Sequence, residues 1–199
     1  MHIIGIVGGV ACGKSLLAGQ LRELGAVVLE ADTIGHEVLR QEGIETAARR
    51  RWGNAIFGPD GRIDRRRLAR IVFAPAPHGP RERKYLEELT HPEICRAVQR
   101  RIRELAVGGQ KLVVLDAPLL LEAHLDNFCN TIVFVDSPRD IRLARARCRG
   151  WSEEDFAARE GAQDSLDSKR AKADVTIDNS GSPESTKAQI ERWVNSLIV

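Results

Sequence analysis

Residues 3–7 are apolar and mostly β-branched, and they run into a pair of glycines. A short continuous apolar run of this kind marks a strand buried on both faces. In residues 14–24, Leu17, Leu21 and Leu24 recur at helical spacing, and Gly25 supplies a stop. Residues 26–29 return to a strand pattern. Strand, glycine loop, helix and strand in that order open a doubly wound sheet. The buried-strand pattern comes back in residues 112–115, 131–135 and 175–177. Five short strands separated by helices predict an α/β fold: a five-stranded parallel sheet with helices on both faces, three layers in all.

Between the second and third of these strands the pattern is helical. Residues 34–40, 44–52, 64–73 and 81–106 are the predicted helices of this insertion. Gly58-Pro59-Asp60-Gly61 predicts a turn, and the three prolines of residues 74–80 predict a loop. After the fourth strand, residues 138–149, 152–160 and 165–172 read as helices. Residues 183–197 form a closing helix with Pro183 in its first turn.

The chemistry enters at the first loop. Gly8-Gly9-Val10-Ala11-Cys12-Gly13-Lys14-Ser15 fits G-x-x-x-x-G-K-[ST], between a predicted strand and a predicted helix. Glycines let the backbone curl so that successive N–H groups point at phosphate oxygens. The helix N-terminus adds partial positive charge. Lys14 can reach the β and γ phosphates, and the Ser15 hydroxyl can ligate Mg²⁺. The segment from Gly8 to Leu16 is therefore the expected triphosphate site. Cys12, near the helix N-terminus, is expected to have a lowered pKa, or simply to be a small residue between glycines.

Asp32 follows the second strand at its carboxyl edge, where ligands collect in open parallel sheets. If strands one and two lie close in the sheet, its carboxylate can take the proton of an acceptor hydroxyl. It equally suits an N-cap for the helix that follows. Asp116 ends the apolar run 112–115, an arrangement that holds Mg²⁺ directly or through water, and it too could be a cap. Arg139, Arg142, Arg145, Arg147 and Arg149 crowd one stretch, with Arg142, Arg145 and Arg149 at helical spacing. Such arginines can close over a triphosphate or form a solvated face. The basic runs 49–51 and 65–67 could meet an anion or water.

Composition narrows the picture a little. A net charge of +2 does not suggest nucleic acid, although arginine outnumbers lysine 24 to 6. No apolar run approaches the roughly 20 residues of a membrane span. The first residues show no basic-then-apolar export pattern, and the four cysteines have no metal-site spacing. A cytoplasmic protein with small-molecule partners, and no obligatory protein partner, is expected.

Several segments in order resemble the dephospho-CoA kinase family. They are the loop 8–15, Glu30-Ala31-Asp32, Ile63-Asp64-Arg65-Arg66-Arg67-Leu68 followed by Val72-Phe73, and His91-Pro92. Asp116-Ala117-Pro118-Leu119-Leu120-Leu121-Glu122 and the set Ala173, Asp174, Ile177, Asn179, Gly181 and Ser182 complete the series. The resemblance implies a P-loop kinase that moves the ATP γ-phosphate to the ribose 3′-hydroxyl of dephospho-CoA. It implies Asp32 as catalytic base with Lys14, and Arg145, Arg149 and Asn179 on ATP. It implies Arg65, His91, Pro118 and Leu119 on the substrate, with Mg²⁺ on Ser15 and Asp116 as a candidate ligand through water. The implied organisation is a core of residues 1–32, 110–138 and 174–199, a CoA-substrate insertion 33–109, and a lid region 139–173. Val7, Glu30 and Ala11-Cys12 depart from the family pattern. A kinase acting on a nucleoside monophosphate is the nearest rival. A GTP switch is less suited, since no Asn-Lys-x-Asp string occurs.

Overall fold

The computed structural model describes residues 1–117 and 120–197. Its five strands are β1 (His2–Gly8), β2 (Val27–Glu30), β3 (Leu112–Asp116), β4 (Thr131–Asp136) and β5 (Val175–Asp178). All neighbours are parallel, in the order β2-β3-β1-β4-β5. The sequence pattern located every strand to within a residue or two. It could not order them: β3 stands between β1 and β2, so the two strands flanking the glycine loop are not adjacent. The register places Ile6 and Glu30 on either side of Asp116. The carboxyl edges of the three strands thus form one row, two residues short of the glycine loop.

The chain divides into two compact units, Met1–Glu30 with Ile102–Val199, and Ala31–Arg101. In the first, helix α1 (Lys14–Glu23) and the closing helix α9 (Pro183–Leu197) cover one sheet face. Their Leu17, Ala18, Leu21, Ile190 and Val194 pack on Ile4, Ile6, Val114, Val133 and Val135. Alternation along β1 turns Gly5 to the opposite face. There the side chains of Cys129, Ile132 and Leu120 close over it so tightly that a Cβ would lie 2.8 Å from each.

The second unit contains α2 (Ala31–Val38), α3 (Glu42–Trp52), α4 (Arg65–Val72) and most of α5 (His78–Val107). It has a core of its own in Ala48, Ile56, Phe57, Leu68 and Val72. The predicted turn is present, with the Gly61 N–H donating to Gly58 O at 3.1 Å and Gly61 at φ 74°. Asp64 caps α4 by accepting from the amides of Arg66 and Arg67. The loop expected at 74–80 is shorter than the prolines suggested, because α5 starts at His78. Pro80 lies in its first turn, where a missing N–H breaks no helical bond. The helix also continues through Pro92.

Glu82, buried on α5, staples this unit. It accepts both nitrogens of a bidentate Arg51 fork at 2.9 and 2.7 Å, and the Trp52 indole N–H at 2.8 Å. The Arg51 hydrogen bonds hold its carboxyl down to about 2, against an ordinary 4.5. A carboxyl held low in the folded state stabilises fully above its unfolded value and loses that contribution as pH falls through the folded one.

Two outcomes are expected. Leu21 is fully buried, and Leu21→Ala lowers unfolding free energy by about 2–5 kcal/mol in denaturant titrations. Stability of the native chain drops as pH falls from 4.5 toward about 2. Glu82→Gln removes that part of the pH dependence, measured as the denaturation midpoint at each pH.

Candidate active site

The first unit carries the glycine loop between β1 and α1. Gly13, at φ 107°, is the N-cap of α1 and offers no side-chain acceptor to the helix's first amides. Lys14 folds back inside the loop, its Nζ donating to Gly8 O and Gly9 O at 3.3 Å each. Ser15 is exposed on the first turn. An anion brought to this loop meets backbone N–H groups, a helix N-terminus and an ammonium together. Ala11 adopts φ 59°, a left-handed conformation that penalises a Cβ. Its side chain packs in a cluster with Val10, Leu143, Ala146 and Phe156. Alanine at this position therefore trades backbone ease for packing.

The loop is held from behind by α6 (Arg139–Cys148) and by the turn after β5. Cys12 O accepts from Asn179 Nδ2 at 2.7 Å, Arg145 at 3.1 Å and Ser137 Oγ at 3.3 Å. Arg145 also donates to Ser137 Oγ and Asn179 O. Thr186 donates to Asn179 Oδ1 at 2.9 Å, so the Asn179 amide is oriented at both ends. A Cβ at Gly13 would run into that amide. The predicted nucleotide residues Arg145 and Asn179 thus touch the loop's backbone. Arg149 does not: it follows the last turn of α6 and is exposed.

Arg142, noted in the sequence only for its spacing, is buried. It donates to Val10 O at 3.3 Å, Ser137 O at 3.1 Å and Glu160 Oε1 at 2.6 Å. Glu160 belongs to α7 (Glu153–Gly161), whose start is fixed by a capping box between Ser152 and Asp155. Next in the chain is α8 (Leu166–Ala171), where Lys169 is buried. Neither Glu160 nor Lys169 carried a motif signal that marked it as close to the loop.

Asp116 ends β3 as expected, half-buried. Pro118 and Leu119 lie outside the described residues. Cys12 is a correction. Burial pushes its thiol up despite the nearby Lys14 and Arg142, so desolvation outweighs the positive surroundings. No group of three or more His, Cys, Asp or Glu among the described residues is placed to hold a metal.

In the second unit, Asp32 is the second residue of α2, directly after β2. His36 lies one turn further on, at the spacing that shares a helix face with Asp32. Burial and the Arg65 cation push its imidazole below the ordinary range, while Asp32 opposes them. Asp32, His36 and Arg65 therefore share one electrostatic neighbourhood, and the sequence reading missed His36. Arg65 also lines a groove of about 650 Å³ with Ile63, Asp64, Arg66 and Ala69. His91 is half-buried on α5. Of the basic runs, Arg51 serves Glu82 and Arg67 donates to Phe57 O at 2.7 Å. Arg49 stacks 3.6 Å over the Phe57 ring. Much of that charge is therefore spent inside the unit.

A glycine loop after the central strand of a 2-3-1-4-5 parallel sheet, with arginines gripping it from behind, defines a kinase-type P-loop protein. Among crystal structures, one from Thermus thermophilus is 34% identical with a TM-score of 0.81, covering 98% of this chain and 97% of that one. The family model of dephospho-CoA kinase matches residues 2–185, and the chain belongs to that family. The dephospho-CoA kinase of Carboxydothermus hydrogenoformans is 40% identical, over 97% of this chain and 95% of its own length. The fold is shared with a dephospho-CoA kinase from Campylobacter jejuni, at TM-score 0.67 and 22% identity, covering 98% and 96% of the two chains.

Accessibility separates the thiols. Alkylation by iodoacetamide at pH 8, followed by peptide mass spectrometry, is expected to label exposed Cys148 at least tenfold faster than buried Cys12 (about an order of magnitude for a buried thiol held protonated). Comparable rates would mean that the loop opens freely.

Proposed function

We propose that this protein transfers the γ-phosphate of ATP to the ribose 3′-hydroxyl of dephospho-CoA, giving CoA and ADP. The observation that carries the reading is the loop, in which Lys14 is folded onto the Gly8 and Gly9 carbonyls at the helix amide end. Membership of the family supports the acceptor. ATP is the co-substrate, bound along residues 8–16. Lys14 bridges its phosphates, and Arg145 and Asn179 act from behind the loop through Cys12 O.

Mg²⁺ fits the donor set. The exposed Ser15 hydroxyl would hold it, with Asp116 as a further ligand through water. So few protein ligands match an ion that arrives with the nucleotide and keeps much of its water. When bound, it supplies neutralisation of charge on the phosphates.

Asp32 is the proposed base that takes the 3′-hydroxyl proton. Its chain position just past β2 and its match to the family motif support this role. The helical insertion 33–109 is the proposed CoA-substrate region, with Arg65 and His91 as its proposed substrate residues. The proposed lid, residues 139–173, carries Arg149 and closes to keep water from the γ-phosphate. No helix among the described residues is long and apolar enough to cross a membrane. A cytoplasmic location, with small-molecule partners alone, is proposed with the activity.

The test is ADP release from Mg·ATP with dephospho-CoA, AMP, CMP or water as acceptor, with product mass checked. A gain of about 80 Da on dephospho-CoA alone is the expected result for one phosphoryl group. Transfer to AMP or CMP instead would discard the acceptor assignment. Asp32→Asn is expected to lower kcat by about 10²–10⁴-fold, the usual worth of a general base, with ATP affinity retained. Near-normal turnover would remove Asp32 from the mechanism.

A further inference from the structure

Lys169 is almost fully buried, at 2% exposure, on the short helix α8. A lysine is rarely buried without a purpose, since desolvating an ammonium is costly. Its neighbours compensate it incompletely. Nζ donates to Gln163 Oε1 at 3.0 Å, and Glu122 Oε1 is 3.6 Å away, beyond hydrogen-bond length. An ammonium has three donors, so at least one has no partner among the described residues. Glu122 is also under-used. Its Oε1 accepts the Asp164 N–H at 3.1 Å, while its Oε2 is buried with no hydrogen-bond partner.

This group stands against the phosphate loop. Leu166, one turn before Lys169, packs so closely on Gly9 that a Cβ there would be 3.1 Å from its Cδ2. The charges report the same proximity. Burial lowers the Lys169 ammonium first, Glu122 opposes it, and the Lys14 cation adds to the lowering. Lys169 in turn acts on Cys12, inside the loop. The Lys14 and Lys169 ammonium groups repel each other, and the carboxylates of Glu122 and Asp164 do not cancel the effect of burying Lys169. A polyanion placed between them would relieve that repulsion and supply the missing acceptors.

We infer that Lys169 is a second phosphate-directed cation of the site, donating to the triphosphate opposite Lys14, with Glu122 and Gln163 holding it in place beforehand. This rests on the ATP reading above. Its consequence is that α8 senses the nucleotide directly, so filling the loop and settling residues 153–171 are coupled through one side chain.

Removing Lys169 alone leaves the half-buried Glu122 carboxylate uncompensated, which can destabilise the fold for reasons unrelated to nucleotide. The comparison is therefore Glu122→Gln against Glu122→Gln/Lys169→Met, with thermal unfolding to confirm both fold. Calorimetric titration uses a non-hydrolysable ATP analogue with Mg²⁺ and, separately, dephospho-CoA. Loss of Lys169 is expected to weaken the analogue about tenfold or more, the scale of a hydrogen bond to a charged group. Dephospho-CoA affinity is expected to change less than about twofold, since only the triphosphate gains from that bond. Lys169→Arg in the otherwise native chain should restore most of the analogue affinity. Equal analogue affinity in the paired variants, or parallel loss of both ligands, overturns the inference. A native chain that binds no ATP analogue overturns the ATP reading instead.

Discussion

A loop that offers its N–H groups to an anion must turn its carbonyls the other way, and each carbonyl then needs a donor. That requirement organises the first unit. Cys12 O takes three donors, from Ser137 after β4, Arg145 on α6 and Asn179 after β5. Val10 O takes Arg142. Gly8 O and Gly9 O take Lys14 itself. The strand order places β4 beside β1 and β5 beside β4. The chain leaving each of these strands can therefore reach the loop, and both contribute to its backing. Buried polar backbone left unpaired would cost about 1–3 kcal/mol per group, enough to make the loop collapse or wander.

The same requirement explains the arginines. α6 lies against the loop's outer side, so its inward positions have carbonyls to satisfy and an arginine can satisfy several at once. Arg142 is buried only because Glu160 balances it at 2.6 Å, while Arg139 uses Glu153 and Glu160 at the surface. A buried pair of this kind contributes little net stability, but removing one partner would leave an uncompensated charge at a cost of about 3–5 kcal/mol. Positive charge is thereby concentrated around the loop in a chain whose net charge is only +2.

The unit 31–101 solves a different problem. It has no sheet, so its short helices depend on a small apolar core and on Glu82, which joins α3 to α5. Arginines that looked available for an anion are largely engaged in this internal work. What remains on offer is the neighbourhood of Asp32, His36 and Arg65: Asp32 and Arg65 lie at helix starts that follow directly from β2 and from the Asp64 cap, and His36 lies in the last turn of α2.

Period and turn chemistry were enough to place the strands, the helices and the turn at 58–61, because those features are set by neighbours a few residues apart. The phosphate loop was legible for the same reason: its glycines, Lys14 and Ser15 act within one turn of chain. Asp32 and Asp116 could be suspected from strand ends, but not the insertion of β3 between β1 and β2, since strand order depends on pairings between distant segments. Local position suggested a lowered pKa for Cys12, and burial by residues far along the chain reversed it. The convergence of Ser137, Arg145 and Asn179 on one carbonyl, the burial of Arg142, and Lys169 beside the loop were decided by tertiary structure alone. The donors to the Cys12 carbonyl come from 125 to 167 positions away, and Arg142 reaches Val10 O across 132; no spacing rule carries information over such distances.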